Sequence, residues 1–271
     1  MASPAEQPTP NVYTTSPRVG LRRPWGRWSR RLKTVTCVGA ILATAAATTT
    51  STASAASPAA SSLARLPAIQ QLAALDYGHL AYSFPRTSSA ERALISAHRP
   101  ITGQVTTLPV LAQTTTRTGQ RWLKVMLPGR PNSAIGWIKR AGTRQQATTW
   151  YLHVTLAARR VAVYQLGRLV RTFLAVVGKP STPTPTGSFF VEETVIMPVS
   201  EPGGPFALAL SARSNVLQQF GGGPGQIAIH GRDSLGGTPG LAESHGCMRL
   251  NTADIDWLAA RILPGTRVRI S

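Results

Sequence analysis

The sequence predicts a mainly β protein, on three observations. Gly and Pro supply 24 and 21 of the 271 residues, whereas charged residues make up only 14%. That balance favours strands and turns over a helical bundle. From Trp150 onward, short runs of alternating apolar residues follow one another, separated by turns built on Gly, Pro and Thr. Only one late stretch, IDWLAARIL, combines helical spacing with start and stop signals: Asn251 as the cap, Asp254 three residues on, and Pro264-Gly265 as the end.

Residues 1–33 are polar and then basic, and residues 34–47 are apolar and uncharged. Ala53-Ser54-Ala55 follows. A basic segment, a short apolar segment and an A-x-A site describe a secretory signal peptide spanning 1–55, cleaved after Ala55. The apolar run falls short of the ~20 residues that span a bilayer; counting in the Thr/Ser tail leaves an uncleaved anchor as the alternative. Ser29-Arg30-Arg31 is a weak twin-arginine signal, because Lys33 stands where an apolar residue is needed. The expected protein is therefore exported, and touches the membrane only through this segment.

Residues 56–99 read as a linker with short helices. Leu63, Leu66, Ile69, Leu72 and Leu75 recur every three residues, and Ser88 stands three residues before Glu91, as at a helix start. Residues 100–146 read as a small β module: RWLKVML alternates, PGRPN turns the chain, and GWIKR returns. From 149 to 271 the strands are YLHVTL, RRVAVYQL, GRLVRTFLAVV, SFFVEETVI, FALALS, QIAI and TRVRI. The first hairpin turns at Leu166-Gly167-Arg168. QIAI runs directly into His230-Gly231, which puts that histidine at the end of a buried strand.

The net charge is +19, and no acidic residue occurs between Glu91 and Glu192. Such a surface attracts polyanions at long range; anionic cell-wall polymers are candidate partners, nucleic acid is not expected, and a basic composition alone is the plain alternative. The two cysteines are Cys37 and Cys247. Cys37 reads as a small apolar residue of the signal segment. After its removal Cys247 has no cysteine to pair with, and an unpaired thiol in an oxidising compartment is a candidate nucleophile.

Around Cys247 the chain reads HGRDSLGGTPGLAESHGCMRLN. His245 lies two residues before the cysteine and His230 seventeen before it. A thiol with an imidazole to take its proton is the minimum for nucleophilic catalysis, and the cationic neighbours are expected to stabilise a thiolate. Gly231 and Gly246 let backbone approach a substrate closely, and the N–H groups of Gly246 and Cys247 are candidate oxyanion donors. His245 and Arg249 share the cysteine's face of an extended segment. Arg249 offers a guanidinium for a substrate carboxylate, and Ser244 is a candidate for substrate binding or for supporting the turn.

The ordered set His230, Gly231, Ser244, His245, Gly246, Cys247, Arg249 and Asn251 resembles the signature of the L,D-transpeptidases, the YkuD family of bacterial cell-wall synthesis. The stretch from Trp150 to Ser271 resembles its catalytic domain, and residues 100–146 resemble the small SH3-like modules found beside wall enzymes. The resemblance implies a β-sandwich-like fold and attack by Cys247 on peptidoglycan stem peptides. It also implies that His230 acts as base, oriented by the Gly231 carbonyl, with His245 in support and no cofactor or metal. Family members often add a tyrosine hydroxyl from a segment upstream of the histidine, where this chain has Phe206. Asp233 is a weaker candidate orienter of His230. A zinc site from Cys247, His245 and His230 lacks a fourth ligand at standard spacing. Papain-like chemistry has the cysteine before the histidine, on a helix. A carboxypeptidase using water as acceptor and a non-catalytic basic wall-binding protein are the remaining alternatives.

Overall fold

The computed structural model describes residues 66–271, apart from Val199 and Gly221. The signal-like segment and residues 56–65 of the linker lie outside the described residues. The first seven strands are β1 (Gln70–Leu75), β2 (His79–Tyr82), β3 (Glu91–Ile95), β4 (Thr107–Thr115), β5 (Arg121–Met126), β6 (Ile135–Lys139) and β7 (Thr143–Thr148). They form an antiparallel sheet in the order β3-β2-β6-β5-β4-β1-β7.

The next strands are β8 (Trp150–Thr155), β9 (Arg160–Gln165), β10 (Arg168–Leu174), β11 (Val177–Gly178), β12 (Gly187–Ile196) and β13 (Phe206–Arg213). The chain continues through β14 (Gln226–Gly231), β15 (Ala242–Ser244), β16 (Met248–Leu250), α1 (Thr252–Ala259) and β17 (Arg267–Ile270). Eight of these build a mixed sheet in the order β10-β9-β8-β17-β12-β13-β14-β16, and β11 pairs with β15. Among the described residues the protein is mainly β, with one short helix near the C-terminal end. The β9–β10 turn takes φ of 51° at Leu166 and 75° at Gly167. That left-handed pair suits the twist of a two-residue hairpin.

The stretch 63–75 is not helical where it is described, since Gln70–Leu75 is strand β1. It lies between β4 and β7, and Leu72, Ala73, Ala74 and Leu75 are all buried. A strand covered on both faces loses its alternation, and the resulting apolar run imitates a helical stripe. The Ser88–Glu91 segment is likewise no helix start. Ser89 Oγ donates to the Arg86 carbonyl (2.9 Å) and accepts from the Phe84 N–H (3.2 Å), closing the β2–β3 turn. The β module therefore begins near Gln70 rather than at residue 100, and in the described part of the linker strands replace the expected helices. Asn251 precedes α1 but makes no side-chain cap bond. Its Oδ1 instead accepts from Arg232 Nε at 2.8 Å. The helix starts three residues before IDWLAARIL and stops at Ala259, yet Ile255, Leu258 and Ile262 are all fully buried.

Strand β12 belongs to two cores at once. Phe189 and Val191 pack with Leu208, Ile227, Ile229 and Met248 of the mixed sheet. Phe190 packs with Leu75, Leu108, Leu123 and Ile138 of the first sheet. Opposite faces of one strand thus hold two hydrophobic clusters together. Beside Phe190, the buried carboxylate of Glu192 is paired with Arg99 of the first sheet's segment and with Arg213 Nη2, at 3.1 Å, of β13. Burial pushes the pKa of both guanidinium groups down, that of Arg213 to about 10.

Removing one member of a buried ion pair strands the other without compensation. Arg99→Met is expected to lower the unfolding free energy of the full chain by about 3 kcal/mol, read by urea denaturation. A change below about 1 kcal/mol would show that Arg213 alone compensates Glu192.

Candidate active site

The site is built on the pairing of β14 with β16. These strands run parallel, with Ile229 opposite Met248, His230 opposite Arg249 and Gly231 opposite Leu250. Ile227, Ile229, Met248 and Leu250 are buried in the core. Alternation then turns Ala228, His230, Cys247 and Arg249 to the other face. There, His230, His245, Cys247 and Arg249 line one cavity of about 440 Å³, with Ser214, Leu217 and Phe220 across from them.

His230 Nδ1 lies 2.6 Å from the Gly231 carbonyl oxygen. A carbonyl only accepts, so Nδ1 carries the proton and Nε2 is left with its lone pair. Asp233 is not the orienter, because its carboxylate accepts from Thr252 Oγ1 at 2.5 Å. A Cβ on Gly231 would overlap the Gly204 carbonyl oxygen, and one on Gly203 would come within 2.8 Å of His230 Nδ1. The backbone of 203–204 thus packs directly behind the imidazole.

Cys247 is half-buried, and its Sγ accepts the Ala228 N–H at 3.4 Å. The turn that presents it is tied from both sides. Ser244 Oγ donates to the Cys247 carbonyl at 2.6 Å and accepts the Gly246 N–H at 3.1 Å. Thr184 Oγ1 donates to the Gly246 carbonyl at 2.7 Å, and Thr182 Oγ1 to the Ser244 carbonyl at 3.2 Å. Gly246 has φ of 125°, a conformation that costs a residue with a Cβ.

Two expectations change here. The Gly246 N–H is occupied by Ser244, so of the two candidate oxyanion donors only the Cys247 N–H lacks a partner among the described residues. Ser244 itself is fully buried with its hydroxyl engaged, so it holds the turn and does not reach substrate. Thr182 and Thr184, in the Thr/Pro-rich stretch before β12, are supports of the site that the sequence reading does not single out. Their alternation was the available signal, but their targets lie 62 residues away.

The remaining candidates take distinct places. His245 is exposed and stacks on Phe220, with ring centroids 5.8 Å apart and planes 26° apart. Arg249 Nη1 donates to the Leu235 carbonyl at 3.2 Å, while its Nε is buried with no protein partner. Its Nη2 makes no hydrogen bond among the described residues, which leaves donor capacity for a substrate carboxylate. Glu243, overlooked in the sequence, also lines the cavity. Phe206 opens β13 with its side chain packed against the core, and no tyrosine lines the cavity among the described residues. Nor do three His, Cys, Asp or Glu side chains converge as a metal-binding group among those residues.

The electrostatics also differ from the expected cation-stabilised thiolate. Burial pushes the His230 imidazole down to about 4; the Gly231 hydrogen bond opposes this and the Arg249 charge adds to it. Burial pushes the Cys247 thiol up, against the smaller pull of the Ala228 N–H and Arg249. Both shifts favour the uncharged forms of the two groups.

Alkylation of Cys247 by iodoacetamide is therefore expected to rise with pH through and beyond the ordinary thiol value of about 8.5, with no inflection near neutrality. A reactive plateau between about pH 5 and 7 would reveal a preformed thiolate–imidazolium pair instead.

The L,D-transpeptidase catalytic-domain family model, YkuD, matches residues 149–270. The YkuD protein of Bacillus licheniformis is 34% identical over 131 residues, 48% of this chain and 71% of that protein. The YkuD protein of Bacillus subtilis is 32% identical over 122 residues, 45% of this chain and 66% of that protein. An L,D-transpeptidase structure from Mycobacterium smegmatis superposes with a TM-score of 0.35 at 19% identity, covering 56% of this chain and 90% of that one. With 34% identity over a stretch that spans 71% of the Bacillus licheniformis protein, the chain belongs to the YkuD family of L,D-transpeptidases.

Proposed function

We propose that the protein is an exported peptidoglycan L,D-transpeptidase that transfers acyl groups through a thioester on Cys247. The observation that carries this reading is His230, its Nδ1 bound to the Gly231 carbonyl, sharing a cavity with the cysteine. A histidine held in that tautomer has Nε2 free to take a proton, which is what a neutral thiol needs in order to attack.

In this reading the pair begins uncharged. As the sulfur attacks the carbonyl of the third residue of a tetrapeptide stem, the thiol proton passes to His230 Nε2. The carbonyl π electrons move to oxygen, where the Cys247 N–H receives the developing charge. On collapse the C–N bond to the terminal D-alanine breaks, and His230 returns the proton to the departing amine. The amine of a second stem then attacks the thioester and gives its proton to His230. The thiolate leaves and is reprotonated by the same imidazole. Arg249, which lines the cavity with its Nη2 unpaired among the described residues, is positioned to hold a stem carboxylate. Water in place of the second amine would give a carboxypeptidase from the same groups. A purely wall-binding role leaves the Cys247–His230 arrangement without a use. The cations of the β module remain available to anionic wall polymers, since Arg144–Asp76 and the Glu192 pairs are the only ion pairs among the described residues.

Intact-mass analysis of the protein incubated with a tetrapeptide muropeptide is expected to show an acyl-enzyme lacking D-alanine, with cross-linked dimer in solution. Cys247→Ala is expected to abolish both while leaving the fold intact. Cross-linking by the alanine variant at the wild-type rate would remove Cys247 from the mechanism.

His230→Gln is expected to lower transfer by about 10²–10⁴-fold, the usual range for losing a general base. His245→Gln should cost much less, because that ring is exposed and stacked on Phe220. The reverse order of effects, measured as kcat/KM for the same muropeptide, would exchange the two roles.

A further inference from the structure

One wall of the cavity is the β13–β14 connection, residues 214–225, through Ser214, Leu217, Phe220 and Gly225. The loop is tied at its base, where the Ser214 N–H donates to the Gly225 carbonyl at 2.8 Å. Ser214 Oγ accepts the N–H groups of Val216 (3.3 Å) and Leu217 (3.0 Å). What holds this base against the body of the protein comes from the other sheet. The β5–β6 loop, residues 127–134, delivers Arg130 to both ends of the connection: Nη2 donates to the Ser214 carbonyl at 2.7 Å and Nη1 to the Pro224 carbonyl at 2.9 Å. Two residues on, Asn132 pairs with the Arg213 backbone as another strand would. Its Oδ1 accepts the Arg213 N–H and its Nδ2 donates to the Arg213 carbonyl, both at 2.8 Å. Ser133 Oγ accepts the Ser188 N–H at 3.0 Å, anchoring the same loop to β12.

We propose that the β5–β6 loop is the positioning device for this wall, with Arg130 and Asn132 as positioning residues that set how tightly a stem peptide is held beside Cys247. The inference rests on the acyl-transfer reading above for its substrate. A guanidinium suits the task because its fixed fork reaches two carbonyl oxygens at once, where an ammonium is a single flexible point of donation. Neither residue touches the reacting atoms. Their loss frees the 214–225 wall, including Phe220 stacked on His245, while β14 and β16 keep His230 and Cys247 in place.

The test uses the full chain with Arg130→Ala, Arg130→Lys and Asn132→Asp. Hydrogen–deuterium exchange at the Val216 and Leu217 amides is expected to quicken about tenfold in Arg130→Ala, in line with the loss of a charge-assisted hydrogen bond. It should quicken less in Arg130→Lys and Asn132→Asp. The KM for the tetrapeptide muropeptide is expected to rise about tenfold with kcat within about threefold of wild type, the pattern of lost binding shared by ground and transition states. The iodoacetamide rate at Cys247 should be unchanged, which a general disruption of the site would not leave so. If Arg130→Ala fails to fold, the two conservative variants carry the same measurements. Unchanged exchange in 214–225, faster exchange with an unaltered KM, or a parallel fall in alkylation and transfer would each overturn the proposal. If the wild-type protein transfers no acyl group, the functional reading falls, while the exchange measurement still decides whether the β5–β6 loop holds the wall.

Discussion

The parallel register between β14 and β16 is the constraint on which the site depends. It is fixed by apolar side chains that take no part in chemistry: Ile229, Met248 and Leu250 fit the core only when each strand turns its other face to the cavity. A slip of one residue would drive Cys247 into the core and Met248 out of it. The core therefore specifies the active site, and the hydrogen bonds of Ser244, Thr182 and Thr184 only complete what packing has begun. The His230 imidazole is set in the same economical way: no acidic residue among the described ones hydrogen-bonds it, and the next carbonyl along its own strand does so.

The second organising feature is β12, which has no solvent face along Phe189–Glu193. Its neighbouring phenylalanines enter different cores, and its buried glutamate draws one cation from each side. The same carboxylate lies 3.4 Å from Gln226 Nε2, and Gln226 opens the strand that carries His230. The β module is thus part of the scaffold of the catalytic half rather than a separate bead on a linker.

The catalytic half was legible because its signals are local. Alternation marked its strands, Leu166-Gly167 marked its hairpin, and the S-H-G-C turn with His230 at a strand end marked the cavity. The misreadings turn on contacts that the local pattern does not show. Gln70–Leu75 looked helical because both faces are covered by elements far along the chain. Asn251 looked like a cap, but Arg232 takes its carboxamide. Gly246 looked like a free donor until the buried Ser244 hydroxyl was placed. The charge state of the thiol was misjudged for a related reason. Counting cations near Cys247 in sequence says nothing of how much water is removed from around it, and here burial outweighs the pull of Arg249.

That neutral thiol has a consequence for the lifetime of the protein. Peroxide and strange disulfides attack the sulfur anion, and susceptibility to sulfenic and higher acids follows anionic character and access. A sulfur that burial holds towards its protonated form spends its idle time in the less oxidisable state. No second cysteine lies among the described residues to resolve a sulfenic acid on Cys247 by disulfide exchange, so this protection matters more here than in a paired-thiol enzyme. The burial that slows the free thiol is, on this view, also its antioxidant.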